Sequence, residues 1–152
     1  MTHASPHFPD SFYRVTIKGL CVREGKVLLS RESETLSGQK WELPGGGLDF
    51  GEDILTAFAR EVDEEMGLTV VRMSRAPVYT WTWKYENKRN MDWFYSCVLV
   101  YRVEFEDLDI APSKECEAIE FFSLAELQTL DLGGQMTPLA TFFNPADFVE
   151  PF

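Results

Sequence analysis

Three glutamates, Glu61, Glu64 and Glu65, lie close together in the segment REVDEEMGL, which the hydrophobic spacing predicts to be helical. A helix turns by about 100° per residue, so residues three and four positions apart share one face. Like charges at that spacing destabilise a helix. Carboxylate oxygens are also the ligands that hard cations such as Mg²⁺ prefer. A bound divalent cation would offset the repulsion between the three carboxylates, so the cluster predicts a metal site. The alternative is that the cluster is an ordinary solvated acidic face.

A glycine-rich loop leads into this predicted helix. Gly46 is followed after five residues by Glu52, and seven residues later by Arg60 and the glutamates, and Gly67 closes the segment. This pattern resembles the signature of the Nudix hydrolase family, with nine positions of the same type and spacing over 23 residues, Gly46–Leu68. The preceding WELPG also resembles that family. A solvated acidic face explains the glutamates but not the glycines at fixed offsets.

The resemblance implies a fold and an activity. The fold is an α/β protein, an α/β/α sandwich with a mixed β-sheet, and the reaction is hydrolysis of a nucleoside diphosphate linked to another moiety. The implied cofactor is Mg²⁺, with Mn²⁺ as an alternative, which offsets phosphate charge and activates a water molecule. The implied metal ligands are Glu61, Glu64, Glu65 and the backbone carbonyl of Gly45 or Gly46.

The resemblance also implies residues that support the metal ligands. Arg60 is expected to pair with Glu64 four residues on, or to form a simple surface salt bridge. Glu52 is expected to support the loop or a second ion. Family members often need one more carboxylate, and the segment SKECEAIEFF offers Glu115 and Glu117. Glu115 is favoured, because related sequences tend to carry a glutamate six residues before the aromatic residue of that strand.

Residues that could bind the substrate are less distinctive. Trp81, Trp83 and Tyr85 alternate along one predicted strand, so they share a face. Trp83 and Tyr85 are predicted to stack on a ring of the substrate, and the alternative is that these aromatics belong to the core. Arg31 follows an apolar run and is predicted to reach a terminal phosphate, or to be a surface charge. The specific substrate stays open.

Composition limits the class of protein. The chain has 152 residues and a formal charge of −11, so binding to a nucleic acid polymer is not expected. Three widely spaced cysteines and two histidines near the N-terminus predict neither disulfides nor a histidine-based site. The sequence contains no long apolar run that would predict a membrane segment. The expectation is one cytoplasmic domain over residues 1–152, with a loose arm at residues 1–11 and a symmetric homodimer as the default assembly.

The elements that must position these residues can be predicted in outline. The runs FYRVTIKGLCVR and KVLLSRE predict a hairpin around EGK. The helix is predicted from about Asp53 to Met66, with Asp53 as N-cap and Gly67 as the stop. The stripe predicted to face the core consists of Leu55, Ala59, Val62 and Met66, and Ala57 is predicted to leave open space beside Glu61.

The second half of the chain predicts more strands and two short helices. LTVVRMSRAPVYTWTWKYE and MDWFYSCVLVYRVEFE predict two long strands joined through NKRN, and AIEFF predicts a short one. Ser123 and Glu126 have the spacing of a capping box. Thr137 and Pro138 predict the N-cap and first position of another helix.

Two other functions compete with hydrolysis. A non-catalytic nucleotide-binding or regulatory module could use the same fold, although loss of the glutamates would favour it and here they are intact. A prenyl diphosphate isomerase would need a catalytic cysteine in a suitable context, which the sequence does not provide. The sequence therefore favours the hydrolase.

Overall fold

The computed structural model of the chain describes residues 12–33, 40–87 and 92–152. Three predictions lie outside this part: the arm at residues 1–11, the connection NKRN beyond Asn87 and the side chain of Tyr85. None of the helices in the described ranges is long and apolar enough to cross a membrane.

Nine strands and three α-helices form the described part of the chain. The strands are β1 (Tyr13–Leu20), β2 (Val22–Arg23), β3 (Lys26–Arg31), β4 (Trp41–Glu42), β5 (Gly45–Gly47), β6 (Val70–Met73), β7 (Tyr79–Asn87), β8 (Asp92–Phe105) and β9 (Ala118–Phe122). The helices are α1 (Ile54–Met66), α2 (Leu124–Leu127) and α3 (Leu139–Phe142), with 3₁₀ turns at Gly134–Met136 and Pro145–Phe148.

The strands form two sheets. The larger has the order β5-β1-β8-β6, with β7 also paired to β8. Strands β1 and β8 are parallel and the other pairs are antiparallel, which confirms the predicted mixed sheet. The smaller sheet places β3 between β2 and β4, and β9 also pairs with β3. Helix α1 covers one side of the larger sheet, and α2 and α3 contribute to a separate core cluster with β3, β7 and β8.

Two predicted strands are each divided in the structure. The first run splits at Cys21, because β1 pairs with β8 and β5 while β2 forms the hairpin with β3. The hairpin turn has Glu24 and Gly25 at positive φ, as a tight turn of this kind requires. The later run splits into β6 and β7 around Pro77, which lacks the N–H that a central strand needs.

Helix α1 has the predicted ends. The Asp53 carboxylate accepts a hydrogen bond from the Thr56 N–H at 2.9 Å, and Gly67 ends the helix with φ of 67°. Its buried face differs from the prediction. Phe58 is fully buried, whereas Leu55 is 55% exposed. Leu55 lies in the first turn, where it borders a shallow cleft instead of the packed core.

Two further expectations about the helices need correction. Ala57 is buried, so it faces the core and not an open space. Helix α3 begins one residue later than predicted, because Thr137 ends the preceding 3₁₀ turn in a helical conformation and therefore cannot act as an extended N-cap. The capping box of α2 is confirmed, with Ser123 and Glu126 each bonding to the other's backbone N–H.

Candidate active site

Arg60 links the glycine-rich loop to the helix. Its guanidinium donates to both carboxylate oxygens of Glu52 at 2.8 Å, and its Nη1 lies 3.2 Å from Glu61 and from Glu64. Asp49 adds a contact at 3.4 Å. Hydrogen bonding to Glu52 raises the pKa of Arg60, and the same bond lowers the pKa of Glu52. Arg60 therefore stays charged and links Asp49 and Glu52 of the loop to Glu61 and Glu64 of the helix.

The loop backbone at Gly46 lies directly against the Glu61 carboxylate. A Cβ added at Gly46 would lie 2.6 Å from the Glu61 carboxylate carbon. Gly46 is held in this place because it pairs with Ile17 across β5 and β1. Close approach of backbone to a functional carboxylate is the physical reason for glycine at this point.

This contact gives a testable expectation. Gly46→Ala should push the Glu61 carboxylate aside and lower kcat about 10-fold, while the melting temperature falls only slightly because the displaced group is the end of a flexible side chain. Steady-state kinetics and thermal unfolding measure the two effects. Unchanged kcat in Gly46→Ala would show that Glu61 does not need this position.

Glu61 and Glu65 face a cavity of about 400 Å³. Burial raises the pKa of Glu65 well above its usual range; the Lys18 ammonium opposes this shift, and the nearby Glu61 and Glu115 carboxyls add to it. Glu64 lies outside the cavity lining, and its side chain is 57% exposed beside Arg60. The glutamate trio is therefore divided, with two carboxyls in the cavity and one at its rim.

The cavity wall also carries cations and hydrogen-bonding groups. Its charged side chains, besides Glu61 and Glu65, are Arg14, Lys18, Glu32 and Glu42. Lys18 is almost fully buried, and its Nζ donates to the Gly45 carbonyl at 2.9 Å and to Glu42 at 3.2 Å. These two bonds of Lys18 join β1 to the segment that leads into the loop. Lys18 therefore fixes the backbone immediately before Gly46.

A chain of hydrogen bonds forms another part of the wall. The Thr16 and Ser96 hydroxyls lie 3.0 Å apart, and Ser96 donates to the side-chain oxygen of Gln135 at 3.1 Å. The indole N–H of Trp81 donates to the backbone carbonyl of Gln135 at 2.8 Å. Trp81 is buried in the core, which fits the alternative reading for that ring. Trp83 is half-buried beside it and is the register partner of Ser96, next to the cavity.

Arg31 and the two candidate extra carboxylates lie around the rim. Arg31 forms an ion pair with Glu117 at 3.3 Å and lies over the Trp41 ring, and it does not line the cavity. Glu115 is exposed, and its charge contributes to the raised pKa of Glu65. The Ser113 hydroxyl donates to the Glu65 carbonyl at 2.6 Å and fastens this loop to α1. Glu115 is thus the one of the pair whose charge bears on the cavity carboxyls.

Several cavity residues were not singled out by the sequence. Arg14, Thr16 and Lys18 alternate with apolar residues along β1, so their period of two carries the signal that they share one face. Glu42 lies in the WELPG segment just before the loop. Gln135 comes from a distant 3₁₀ turn, and no local pattern marks it.

The side chains at the cavity show whether this site has suitable ligands for a metal ion. In this conformation no group of three or more acidic, histidine or cysteine side chains among the described residues is gathered closely enough to hold an ion. Glu61 and Glu65 nevertheless supply carboxylate oxygens at the cavity, and burial raises the pKa of Glu65 because it disfavours the negative charge there. Such oxygen donors fit a hard divalent cation, whose charge would offset theirs.

Comparisons with known proteins agree with this geometry. Residues 12–141 match the family model described as NUDIX domain. An RNA pyrophosphohydrolase of Sphingopyxis alaskensis is 29% identical over 127 residues, which cover 73% of this chain and 77% of that protein. An RNA pyrophosphohydrolase of Acidiphilium cryptum is 42% identical over 53 residues, but the match spans only 34% of this chain and 32% of that protein.

Solved structures share the fold. The crystal structure of MutT protein from Methanosarcina mazei Go1 has a TM-score of 0.72 at 24% identity, over 92% of this chain and 99% of that one. The solution structure of the E. coli ORF135 protein has a TM-score of 0.69 at 21% identity, over 93% and 95%. These similarities confirm the predicted α/β architecture. Because the family model covers most of the chain, the protein belongs to the NUDIX family and is a Nudix hydrolase, an enzyme that acts on pyrophosphate bonds.

Proposed function

We propose that the enzyme hydrolyses, with Mg²⁺, a phosphoanhydride bond in a nucleoside diphosphate linked to another moiety. The observation that carries this proposal is the cavity of about 400 Å³ that joins the carboxyls of Glu61 and Glu65 to the cations of Arg14 and Lys18. Carboxyls that can hold a metal and cations that can hold phosphate oxygens are both needed for a polyphosphate substrate. The cavity brings them together within one small space.

The metal would be held by Glu61 and Glu65, with Glu64 joining from the rim and a backbone carbonyl at Gly46. When bound, Mg²⁺ or Mn²⁺ supplies charge neutralisation on phosphate oxygens and a more acidic water molecule. Arg60 holds Glu61 and Glu64 by hydrogen bonds, so it is a positioning residue.

The role of general base is proposed for Glu115. Its carboxylate is exposed on the loop that Ser113 fastens to α1, and its charge acts on Glu65. Glu117, on the same loop, is instead paired with Arg31. A base must come within hydrogen-bond reach of the attacking water, which the position of Glu115 permits more readily.

This assignment predicts different effects for two matched substitutions. Glu115→Gln should lower kcat about 10-fold or more with little change in KM, because it removes a proton acceptor and not a substrate contact. Glu117→Gln should change kcat less than about 2-fold, since it breaks an exposed ion pair. Both lose one charge from the same loop. The opposite order in steady-state kinetics would assign the base to Glu117.

Two substrate classes are candidates. The first is a small nucleoside diphosphate derivative, whose base is expected to stack near Trp83, with Arg31 and Tyr85 as further predicted contacts. The second is the 5′ end of an RNA, which the names of the related proteins favour. The chain's charge of −11 disfavours extensive contact with a long polyanion. If RNA is the substrate, binding should therefore be limited to its first nucleotides.

A phosphate-release screen tests the proposal. Nucleoside diphosphate derivatives, nucleoside triphosphates and short 5′-triphosphorylated oligonucleotides are incubated with enzyme and Mg²⁺, with a phosphatase or pyrophosphatase as coupling enzyme. Turnover that is lost with EDTA and restored by Mg²⁺ is expected for at least one class. No turnover above a Glu65→Gln control on any compound, together with measurable nucleotide binding, would favour the non-catalytic binding module. Sedimentation of the same preparation tests the predicted homodimer.

A further inference from the structure

A second groove adjoins the catalytic cavity, since the two share a lining residue, Arg14. It has a volume of about 470 Å³ and is formed by residues 12–15 of β1 and its approach and by residues 48–52 of the loop. Side chains alternate across a strand, so Tyr13 lies on the face opposite Arg14 and Thr16. We call this the aromatic groove, after Phe12, Tyr13 and Phe50 in its wall.

The aromatic groove exposes much apolar surface. Phe12 is 62% exposed, Tyr13 59%, and Phe50 fully exposed. Tyr95, on the neighbouring strand β8, is 41% exposed, and its ring centroid lies 5.4 Å from that of Tyr13. Contiguous exposed aromatic surface on a soluble domain usually marks a binding site. Three of these rings line the groove, and the fourth, Tyr95, extends the aromatic surface through its contact with Tyr13.

Phe50 is displayed by a turn that is firmly held. The Glu52 N–H donates to the Asp49 carbonyl at 3.0 Å, and the Asp49 N–H donates to the Glu52 carboxylate at 3.1 Å. Arg60 binds that same carboxylate with two hydrogen bonds. The backbone at Phe50 therefore lies in a turn that is tied to the active-site helix. A ring carried on a fixed backbone loses less conformational freedom when it stacks on a ligand.

Arg14 connects the aromatic groove to the catalytic cavity, because it lines both. Its guanidinium lies against Gly47, where a Cβ would collide with it. Within residues 12–33, 40–87 and 92–152, Arg14 makes no hydrogen bond or ion pair. An unpaired guanidinium between two cavities of an acidic protein is placed to contact a phosphate that passes from one to the other.

We propose that the aromatic groove binds a second nucleobase of the substrate, with Arg14 on the phosphate that joins it to the group in the catalytic cavity. This proposal rests on the proposed function and narrows its substrate class to molecules with two nucleosides joined through phosphate. Dinucleoside polyphosphates and the first two nucleotides of a 5′-triphosphorylated RNA share that chemistry. Stacking on an aromatic side chain tolerates any base, so the groove adds affinity without strict base selection.

Other occupants fit the groove less well. A second copy of this chain also carries a charge of −11, and Asp49 and Glu52 line the groove, so self-association through it would bring like charges together. An anionic membrane surface would be repelled for the same reason. A nucleobase is neutral and flat, and its phosphate would meet Arg14. The nucleotide is therefore favoured by the contact that Arg14, the cation in the groove lining, offers to its phosphate.

The experiment compares substrates with one and two bases. ATP, diadenosine tetraphosphate and the dinucleotide pppApG are used with the wild type, Tyr13→Ala, Phe50→Ser and the control Val71→Ser, which removes an exposed apolar side chain on β6. The two groove variants should lose about 10-fold in kcat/KM on a two-base substrate relative to ATP. The ratio of kcat/KM on a two-base substrate to kcat/KM on ATP should be the same for the control as for the wild type. Loss on only one of the two-base substrates identifies which source the groove serves.

Three results would overturn the proposal. The first is an equal loss on ATP and on both two-base substrates, which would make the groove structural. The second is an unchanged ratio in both variants. The third is a fall in molecular mass of the variants in sedimentation, which would make the groove a contact between copies. Binding of ATP and diadenosine tetraphosphate is also measured by calorimetry, so the ratio is obtained even if the wild type shows no turnover and the proposed hydrolysis fails.

Discussion

Glu65→Gln is expected to lower kcat at least about 10²-fold while the protein stays folded. Glu65 faces the catalytic cavity beside Glu61, and the substitution keeps the size of the side chain while removing its charge. A metal site that loses a cavity carboxylate loses both ion affinity and charge neutralisation in the transition state. Steady-state kinetics at saturating Mg²⁺ and circular dichroism measure activity and fold.

The matched control is Asp63→Asn on the same helix. Asp63 is exposed, so its substitution removes one charge from α1 without touching the cavity. It should leave kcat within about 2-fold of wild type, as expected for a surface change away from the site. Similar losses in the two variants would show that the net charge of the helix matters, and not the position of Glu65.

The three glutamates should also differ among themselves. Glu61 and Glu65 line the cavity, whereas Glu64 is 57% exposed and bound by Arg60 at 3.2 Å. We therefore expect Glu61→Gln and Glu65→Gln to lower kcat more than Glu64→Gln does. From the sequence alone, Glu64 and Glu65 are equally good candidates for metal ligands. A helical repeat shows which residues share a face, but it does not show how far the neighbouring loop extends over that face.

Local patterns in the sequence predicted local structure well. The N-cap at Asp53, the stop at Gly67 and the capping box at Ser123 depend on a few adjacent residues, and the structure has each of them. The glycine spacing likewise identified the loop that lies against Glu61. These features are encoded by neighbours along the chain, so a single sequence is enough to find them.

Contacts between distant segments were harder to predict. Strand β1 is not part of the predicted hairpin. It pairs in parallel with β8, about 80 residues away, and no turn residue in the sequence indicates such a pairing. That pairing places Arg14 and Lys18 on the cavity side, and neither was selected from the sequence. Arg31 is held by Glu117, again through a long-range contact between β3 and the loop before β9. Register between distant strands therefore decides which cations face the cavity.

The second large effect is expected in stability. Glu65→Gln in EDTA should be more stable than the wild type at pH 7, by at least about 1 kcal/mol in the free energy of unfolding, since one pKa unit corresponds to about 1.4 kcal/mol. The pKa of Glu65 is raised in the folded protein, chiefly by burial. The folded state therefore holds this proton more tightly than the unfolded chain does. Wild-type stability from this group is greatest below about pH 4, the unfolded value, and is lost as pH rises through the folded pKa.

Magnesium should reverse the order of the two proteins. A divalent cation that binds the folded carboxyls, and not the scattered carboxylates of the unfolded chain, raises the melting temperature of the wild type. Glu65→Gln lacks one of those carboxyls and should gain much less. Asp63→Asn should shift with Mg²⁺ as the wild type does, because its side chain is exposed away from the cavity.

The measurement is thermal unfolding of the three proteins between pH 5 and pH 9, each with EDTA and with millimolar Mg²⁺. Glu64→Gln adds a useful contrast, because it also removes a partner of Arg60 and should gain less stability in EDTA than Glu65→Gln. Equal Mg²⁺ shifts in the wild type and Glu65→Gln would contradict metal binding by the cavity carboxyls. A Glu65→Gln variant less stable than wild type at pH 7 in EDTA would show that Lys18 already compensates the Glu65 charge, so that no cation is needed to complete the cluster.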